Sequence, residues 1–117
     1  MTTLADIKNM IESNPIILFM KGTPIFPQCG FSARTVGYLA EAITACGEQY
    51  DGTEFAFVNV LDDPDVRALL PQYANWPTFP QLYINGELIG GCDIVTELFE
   101  TDHLVELVKP ALTTQDA

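Results

Sequence analysis

Five consecutive apolar residues, Ile16 to Met20, stand between the helix-ending pair Asn14-Pro15 and Lys21. A half-exposed strand alternates apolar with polar positions, whereas an unbroken apolar run of this length reads as a strand buried on both faces. Such a strand needs neighbours at its sides and helices above and below. This run alone therefore commits the chain to a covered sheet, and the other segments are read by what they supply to it.

"TTLADIKNMIES" carries Leu4, Ile7 and Ile11 at helical spacing, with Thr3 and Asp6 in a capping-box pattern, and predicts a helix over about 3–13. After the loop "GTPIFPQ", the residues Val36, Leu39, Ala40 and Ile43 recur at i, i+3, i+4 and i+7. They predict a second helix from Gly30 to about Cys46, stopped by Gly47. "EFAFVNVL" (54–61) is rich in aromatic and β-branched residues and predicts a second strand. Asp63 and Pro64 suit the cap and first turn of a helix over about 64–74. Asn85-Gly86, between "FPQLYI" and "ELIG", is the strongest short hairpin signal, joining strands at 79–84 and 87–90. A last helical stretch runs from about Asp93 to Leu112 with a break near Thr101-Asp102.

The order α-β-α-β-α-β-β-α, with a parallel first strand–helix–strand unit and an antiparallel final pair, is the thioredoxin-like α/β arrangement. It predicts a four-stranded mixed sheet with helices on both faces. At 117 residues the chain is expected to be a single domain over 1–117, with its core at about 4–110 and a short C-terminal tail.

Five Lys and Arg against sixteen Asp and Glu give a net charge of −11, which argues against nucleic acid and against anionic membrane surfaces. No apolar run is long enough to cross a bilayer. An anionic ligand is repelled almost everywhere and settles only where Lys21, Arg34 or Arg67 offsets the field. The three cysteines, Cys29, Cys46 and Cys92, are an odd number and too few for a secreted disulfide framework. A reducing compartment follows, the cytoplasm, or an organelle matrix for a chain that has lost a transit peptide.

"FPQCGFSAR" (26–34) places one cysteine where a C-x-x-C motif has two, with Ser32 at the second position. Cys29 falls where a loop gives way to a helix N-terminus, so the dipole and the free N–H groups favour thiolate. Cys46 follows after seventeen residues of expected helix, about 25 Å away and beyond disulfide reach, and reads as packing. Lys21 ends the first strand, at the edge where open α/β sheets bind ligands, and reads either as an anion contact or as a solvated lysine. Arg67 alone reads as a helix-surface arginine, and the Trp76 indole as core, with Pro77 setting the loop. In "GGCD" (90–93), Gly90 and Gly91 permit close backbone approach, and the N–H groups of Cys92 and Asp93 suit a carboxylate. Asp93 reads as an acceptor for an ammonium group or as a simple N-cap. Cys92 reads as a small residue with a useful backbone or as a second redox thiol. His103, the single histidine, reads as solvated, and a zinc site has nothing to stand on.

"MKGTPIFPQCGFSAR" and "YANWPTFPQLYINGELIGGCDIV", together with the element order, resemble a monothiol glutaredoxin of the CGFS type. The resemblance implies that Lys21 and Arg67 hold a carboxylate of glutathione beside Cys29, Gly30 and Phe31. It implies a cis peptide before Pro80, with Thr78 and the Phe79 backbone pairing with glutathione's cysteinyl unit. It places the γ-glutamyl end, which carries ammonium and carboxylate on one carbon, at Gly91, Cys92 and Asp93. The implied cofactors are glutathione and a 2Fe-2S cluster ligated by Cys29. Such a cluster usually takes four thiolates, which two chains and two glutathiones supply. The implied function is cluster carriage in iron–sulfur protein biogenesis by a cluster-bound homodimer, with a BolA-type protein and apo iron–sulfur acceptor proteins as further partners. A carrier is expected more than an enzyme. The alternative is a glutathione-dependent oxidoreductase, in which Cys29 attacks glutathionylated substrates and a second glutathione resolves it. A redox-inert adaptor leaves Cys29 unexplained. Ile25-Phe26 stands where the family commonly has a more polar stretch and reads as a partner patch. The connection around Tyr50-Asp51-Gly52 is longer than a compact version needs.

Overall fold

Helix α1 (Leu4–Ser13), strand β1 (Ile16–Met20), helix α2 (Gly30–Ala45), strand β2 (Ala56–Asn59), helix α3 (Pro64–Ala74), strands β3 (Gln81–Ile84) and β4 (Glu87–Gly90), and helices α4 (Cys92–Glu100) and α5 (His103–Asp116) follow in chain order. The computed structural model describes the backbone of residues 1–116 and the side chains of residues 1–112. The sheet order is β2-β1-β3-β4, with β1 parallel to β2 and antiparallel to β3, and β3 antiparallel to β4. This is the mixed four-stranded sheet expected.

Every residue of β1 is buried, and the alternation of a strand sends them into two cores. Ile16, Leu18 and Met20 join Val36, Leu39 and Ile43 of α2, Val95 of α4 and Leu104 and Val108 of α5. Ile17 and Phe19 join Ile7 and Ile11 of α1, Val66 and Leu70 of α3, and Tyr83 of β3. Each fully buried aliphatic side chain contributes about 1.5–3 kcal/mol relative to leaving it in water. The helices thus cover both faces of the sheet because β1 has apolar residues on both.

Thr3 caps α1: its hydroxyl accepts from the Asp6 N–H at 3.2 Å and its N–H donates to the Asp6 carboxylate at 2.9 Å. Of the three residues at helical spacing, Ile7 and Ile11 are buried, but Leu4, at the first position of α1, is 47% exposed. Strand β2 is shorter than the expected 54–61. Asn59 ends it, because its Oδ1 accepts from the Leu61 N–H at 3.0 Å and turns the chain. Strand β3 starts at Gln81 and not at Phe79, since Pro80 has no N–H for a ladder; the Phe79-Pro80 bond is cis, as the resemblance implies. Helix α4 begins at Cys92, one residue before the expected start, because Gly91 takes the cap position. The break near Thr101-Asp102 is present, with Asp102 at φ 63° between α4 and α5. Helix α5 continues to Asp116, past the expected end near Leu112; the side chains of the expected tail lie outside the described residues.

Candidate functional site

Cys29 is the N-cap of α2, with φ −150° and ψ 153°. Caps are usually Ser, Thr, Asp or Asn, whose side-chain oxygen accepts from the helix's free N–H groups. Here the sulfur takes that place, accepting from the Ser32 N–H at 3.4 Å, and it lies 3.3 Å from the Ser32 hydroxyl. Partial burial pushes the Cys29 thiol up. The Ser32 hydroxyl, the N–H groups of Ser32 and Phe31 and the charge of Lys21 outweigh it, so the thiol lies below its ordinary value. The sulfur is half-buried and reachable. Cys46 is the C-cap at the opposite end of α2, packed against the core, and burial holds its thiol above the ordinary value.

The loop before Cys29 is held from several sides. Gly22 and Pro27 form an isolated bridge, the Thr23 N–H donates to the Phe26 carbonyl at 3.2 Å, and the Gly22 N–H donates to Asn59 Oδ1 at 2.9 Å. Gly22 has φ 91°, and a Cβ there would stand 2.5 Å from the Phe26 carbonyl oxygen, so only glycine fits. The tip presents Ile25 and Phe26, 81% and 72% exposed, as the sequence reading of an apolar surface pair requires.

Beside Cys29 lies a groove of about 500 Å³. Lys21, at the end of β1, Phe31 of α2 and Arg67 of α3 line it. So does the loop of Thr78, Phe79 and Pro80, and so does the start of α4 at Gly91, Cys92 and Asp93. The fold therefore gathers nearly all the expected binding residues from distant parts of the chain. Cys29 and Gly30 are not in the groove wall; they stand at its side, joined to it through Phe31. Cations lie just after β1 and on α3, while the free N–H groups at the start of α4 supply a second anion-favouring point with the Asp93 carboxylate beside it. Cys92 is buried, with its sulfur 3.9 Å from the Thr96 hydroxyl. The Phe79 ring packs against the core, as expected. His103 is exposed.

Three wall residues were not singled out as binding residues from sequence: Trp76, Pro77 and Ile94. The indole N–H of Trp76 is buried without a hydrogen-bond partner, 3.3 Å from where a Cβ on Gly91 would stand. Gln81 was missed altogether. It is fully buried, its amide donates to the carbonyls of Trp76 at 2.9 Å and Thr78 at 3.2 Å, and its Oε1 accepts from the Tyr83 hydroxyl at 2.9 Å. A glutamine within an otherwise apolar strand run was the available signal. Burial raises the Tyr83 hydroxyl well above its ordinary value, so Tyr83 remains a donor.

Among the described residues no group of three or more His, Cys, Asp or Glu could hold a metal ion. One chain fits a cluster only as the donor of a single thiolate, Cys29, with the other ligands coming from outside it.

A partly exposed cysteine at a helix N-terminus beside a groove with cations at one side, on a thioredoxin-like sheet, defines a thiol-dependent protein of that fold. The glutaredoxin family model matches residues 16–89, and the chain belongs to the glutaredoxin family. It is of the monothiol type: it is 53% identical over 108 residues to Glutaredoxin 4 of Escherichia coli (strain K12), covering 92% of this chain and 86% of that one. The solution structure of reduced poplar apo GrxS14 is similar with a TM-score of 0.68 and 38% identity, over 93% of this chain and 92% of that one. A buckwheat glutaredoxin–glutathione complex has a TM-score of 0.68 and 25% identity, over 92% of this chain and 88% of that one.

Proposed function

We propose that this chain binds glutathione in the groove and, paired with a second copy, carries a labile 2Fe-2S cluster to apo iron–sulfur proteins, with a BolA-type protein as a further partner. The observation that carries the reading is one reachable thiol at the groove's side, held below its ordinary value, with Ser32 where a resolving thiol would stand. Two chains and two glutathiones supply the four thiolates that one chain lacks. When bound, the cluster supplies a transferable iron–sulfur unit. The chain's part is to hold the Cys29 sulfur deprotonated, to place glutathione beside it and to leave the sulfur open to a partner.

Glutathione's chemistry matches the groove end by end. Lys21 and Arg67 take one carboxylate by charge-assisted hydrogen bonds. The Phe79 main chain takes the cysteinyl unit as a short added strand. The N–H groups of Cys92 and Asp93 take the γ-glutamyl carboxylate, with the Asp93 carboxylate on its ammonium. The complex of the buckwheat relative with glutathione supports this part of the reading. The exposed Ile25-Phe26 tip is assigned to partner contact, and three unpaired thiols suit a reducing compartment such as the cytoplasm.

A second reading, deglutathionylation with Cys29 as nucleophile, is favoured by the same lowered thiol. Anaerobic reconstitution with iron, sulfide and glutathione separates the two. Visible absorption together with a dimer in native mass spectrometry is expected. A colourless monomer overturns the carrier reading and leaves the oxidoreductase.

A further inference from the structure

Ser32 occupies the position of a second thiol, yet it has no exposed surface. A hydroxyl has one proton to donate and two lone pairs with which to accept. Here the Lys21 N–H, which can only donate, occupies one lone pair at 3.1 Å. The Cys29 sulfur, 3.3 Å away, is the acceptor left for the proton once the thiol has ionised. The same arrangement reaches the groove. The Lys21 carbonyl accepts from the Gln28 N–H at 2.9 Å, so both peptide groups of Lys21 are tied to residues flanking Cys29.

We propose that Ser32 is a positioning residue: its hydroxyl, held from behind by the Lys21 N–H, aims its one proton at the Cys29 sulfur and locks that sulfur in register with Lys21. A serine in a monothiol motif is then more than the removal of a resolving cysteine. It places a hydroxyl donor beside the sulfur without a thiol's ability to form a disulfide. Lys21 is the charged side chain that also acts on the sulfur, and it does so through space and not through this bond. The proposal concerns the apo chain and is independent of whether the thiolate goes on to bind iron or to attack a disulfide.

The test compares variants at the plateau of each one's alkylation profile, where Cys29 is fully thiolate and differences in titration no longer enter. A thiolate relieved of a donor is a stronger nucleophile. Loss of a hydrogen bond to a charged group, through a Brønsted slope of about 0.4–0.5, raises the rate by about threefold or more. Ser32→Ala is expected to show that rise with iodoacetamide, read at residue 29 by tandem mass spectrometry. The Lys21 amide hydrogen should lose its exchange protection at the same time. Ser32→Thr, which restores a hydroxyl, is expected to return both toward wild type. Circular dichroism reports whether each variant is folded. Equal plateau rates for wild type and folded Ser32→Ala would overturn the proposal. Should the alanine chain not fold, Ser32→Cys carries the comparison under reductant. It keeps the shape with a weaker S–H donor, an intermediate plateau is expected, and one equal to wild type overturns the proposal.

Discussion

Lys21 leaves the sheet from a fixed point, because its N–H and its carbonyl are both bonded to the segment around Cys29. Reversing its charge therefore changes what the groove attracts without loosening the loop. Lys21→Glu should weaken glutathione by more than one charge-assisted hydrogen bond, about 1.5–3 kcal/mol, since the new carboxylate also repels the ligand. Isothermal titration of glutathione into both proteins checks this, and an unchanged Kd would remove Lys21 from the binding set. The thiols make a second residue-scale prediction. Cys29 lies below the ordinary thiol value and Cys46 above it. For Cys29, ionisation favours the folded state above the unfolded value, and that advantage is lost as pH falls through the folded one. For Cys46 the sign reverses: protonation favours the folded state below the unfolded value, and the advantage is lost as pH rises through the folded one. At neutral pH iodoacetamide should label Cys29 well before Cys46, with the Cys29 midpoint at lower pH. A reversed order in peptide mapping would contradict the assignment of Cys46 to packing.

Between α3 and β3 the groove wall depends on one amide. Gln81 holds the carbonyls of Trp76 and Thr78 and accepts from Tyr83, and replacing it by leucine leaves those partners unmatched. Of these partners only the Tyr83 hydroxyl is in a buried bond, and on that bond Gln81→Leu should cost about 1–3 kcal/mol in urea unfolding. It should also shift the emission of Trp76, the single tryptophan, in the folded state. A stability and spectrum equal to wild type would show that the loop holds itself. This element also marks where sequence reading stops. Strand β1, the Asn85-Gly86 hairpin, the Asp63-Pro64 start of α3 and the break at Thr101-Asp102 were legible because each rests on local chemistry. So was Cys29, since a cap position depends only on its own helix. Phe79-Pro80 fell outside β3 because Pro80 has no N–H to give a ladder, which the apolar run concealed, and Leu4 stayed exposed because burial depends on what lies opposite. The joining of Lys21, Arg67 and Asp93 around one groove is a property of strand order, and no single segment states it. Resemblance supplied that part of the reading, and geometry reproduced the gathering. The roles of Gln81 and Ser32 escaped because they rest on side-chain hydrogen bonds whose geometry is set only by the folded loop and by the end of β1, although most of the partners are near in sequence.

For the whole molecule the governing quantity is a net charge of −11 on 117 residues. Among the described residues the Lys8–Glu12 pair does little to offset it: the groups lie 3.9 Å apart and exposed, and such pairs are worth about 0–1 kcal/mol. The folded chain therefore repels itself, and its unfolded chain, being expanded, does so less. Added sodium chloride screens charges beyond about 8 Å at physiological strength. It should raise the thermal midpoint of the apo protein between low and physiological salt. The groove responds with the opposite sign. There Lys21 and Arg67 line the groove, and if glutathione binds as proposed, screening weakens its approach while the surrounding acidic surface is also muted. The short charge-assisted contacts, being partly shielded from water, should retain most of their strength, so glutathione affinity should fall only modestly. One salt series thus separates the two fields: unfolding followed by circular dichroism for the fold, titration calorimetry for the ligand. A midpoint that falls with salt would mean that specific ion pairs, and not self-repulsion, dominate the folded state. A glutathione affinity that rises with salt would mean that the acidic surface outweighs the two cations at the groove, so that the ligand is held against the local field.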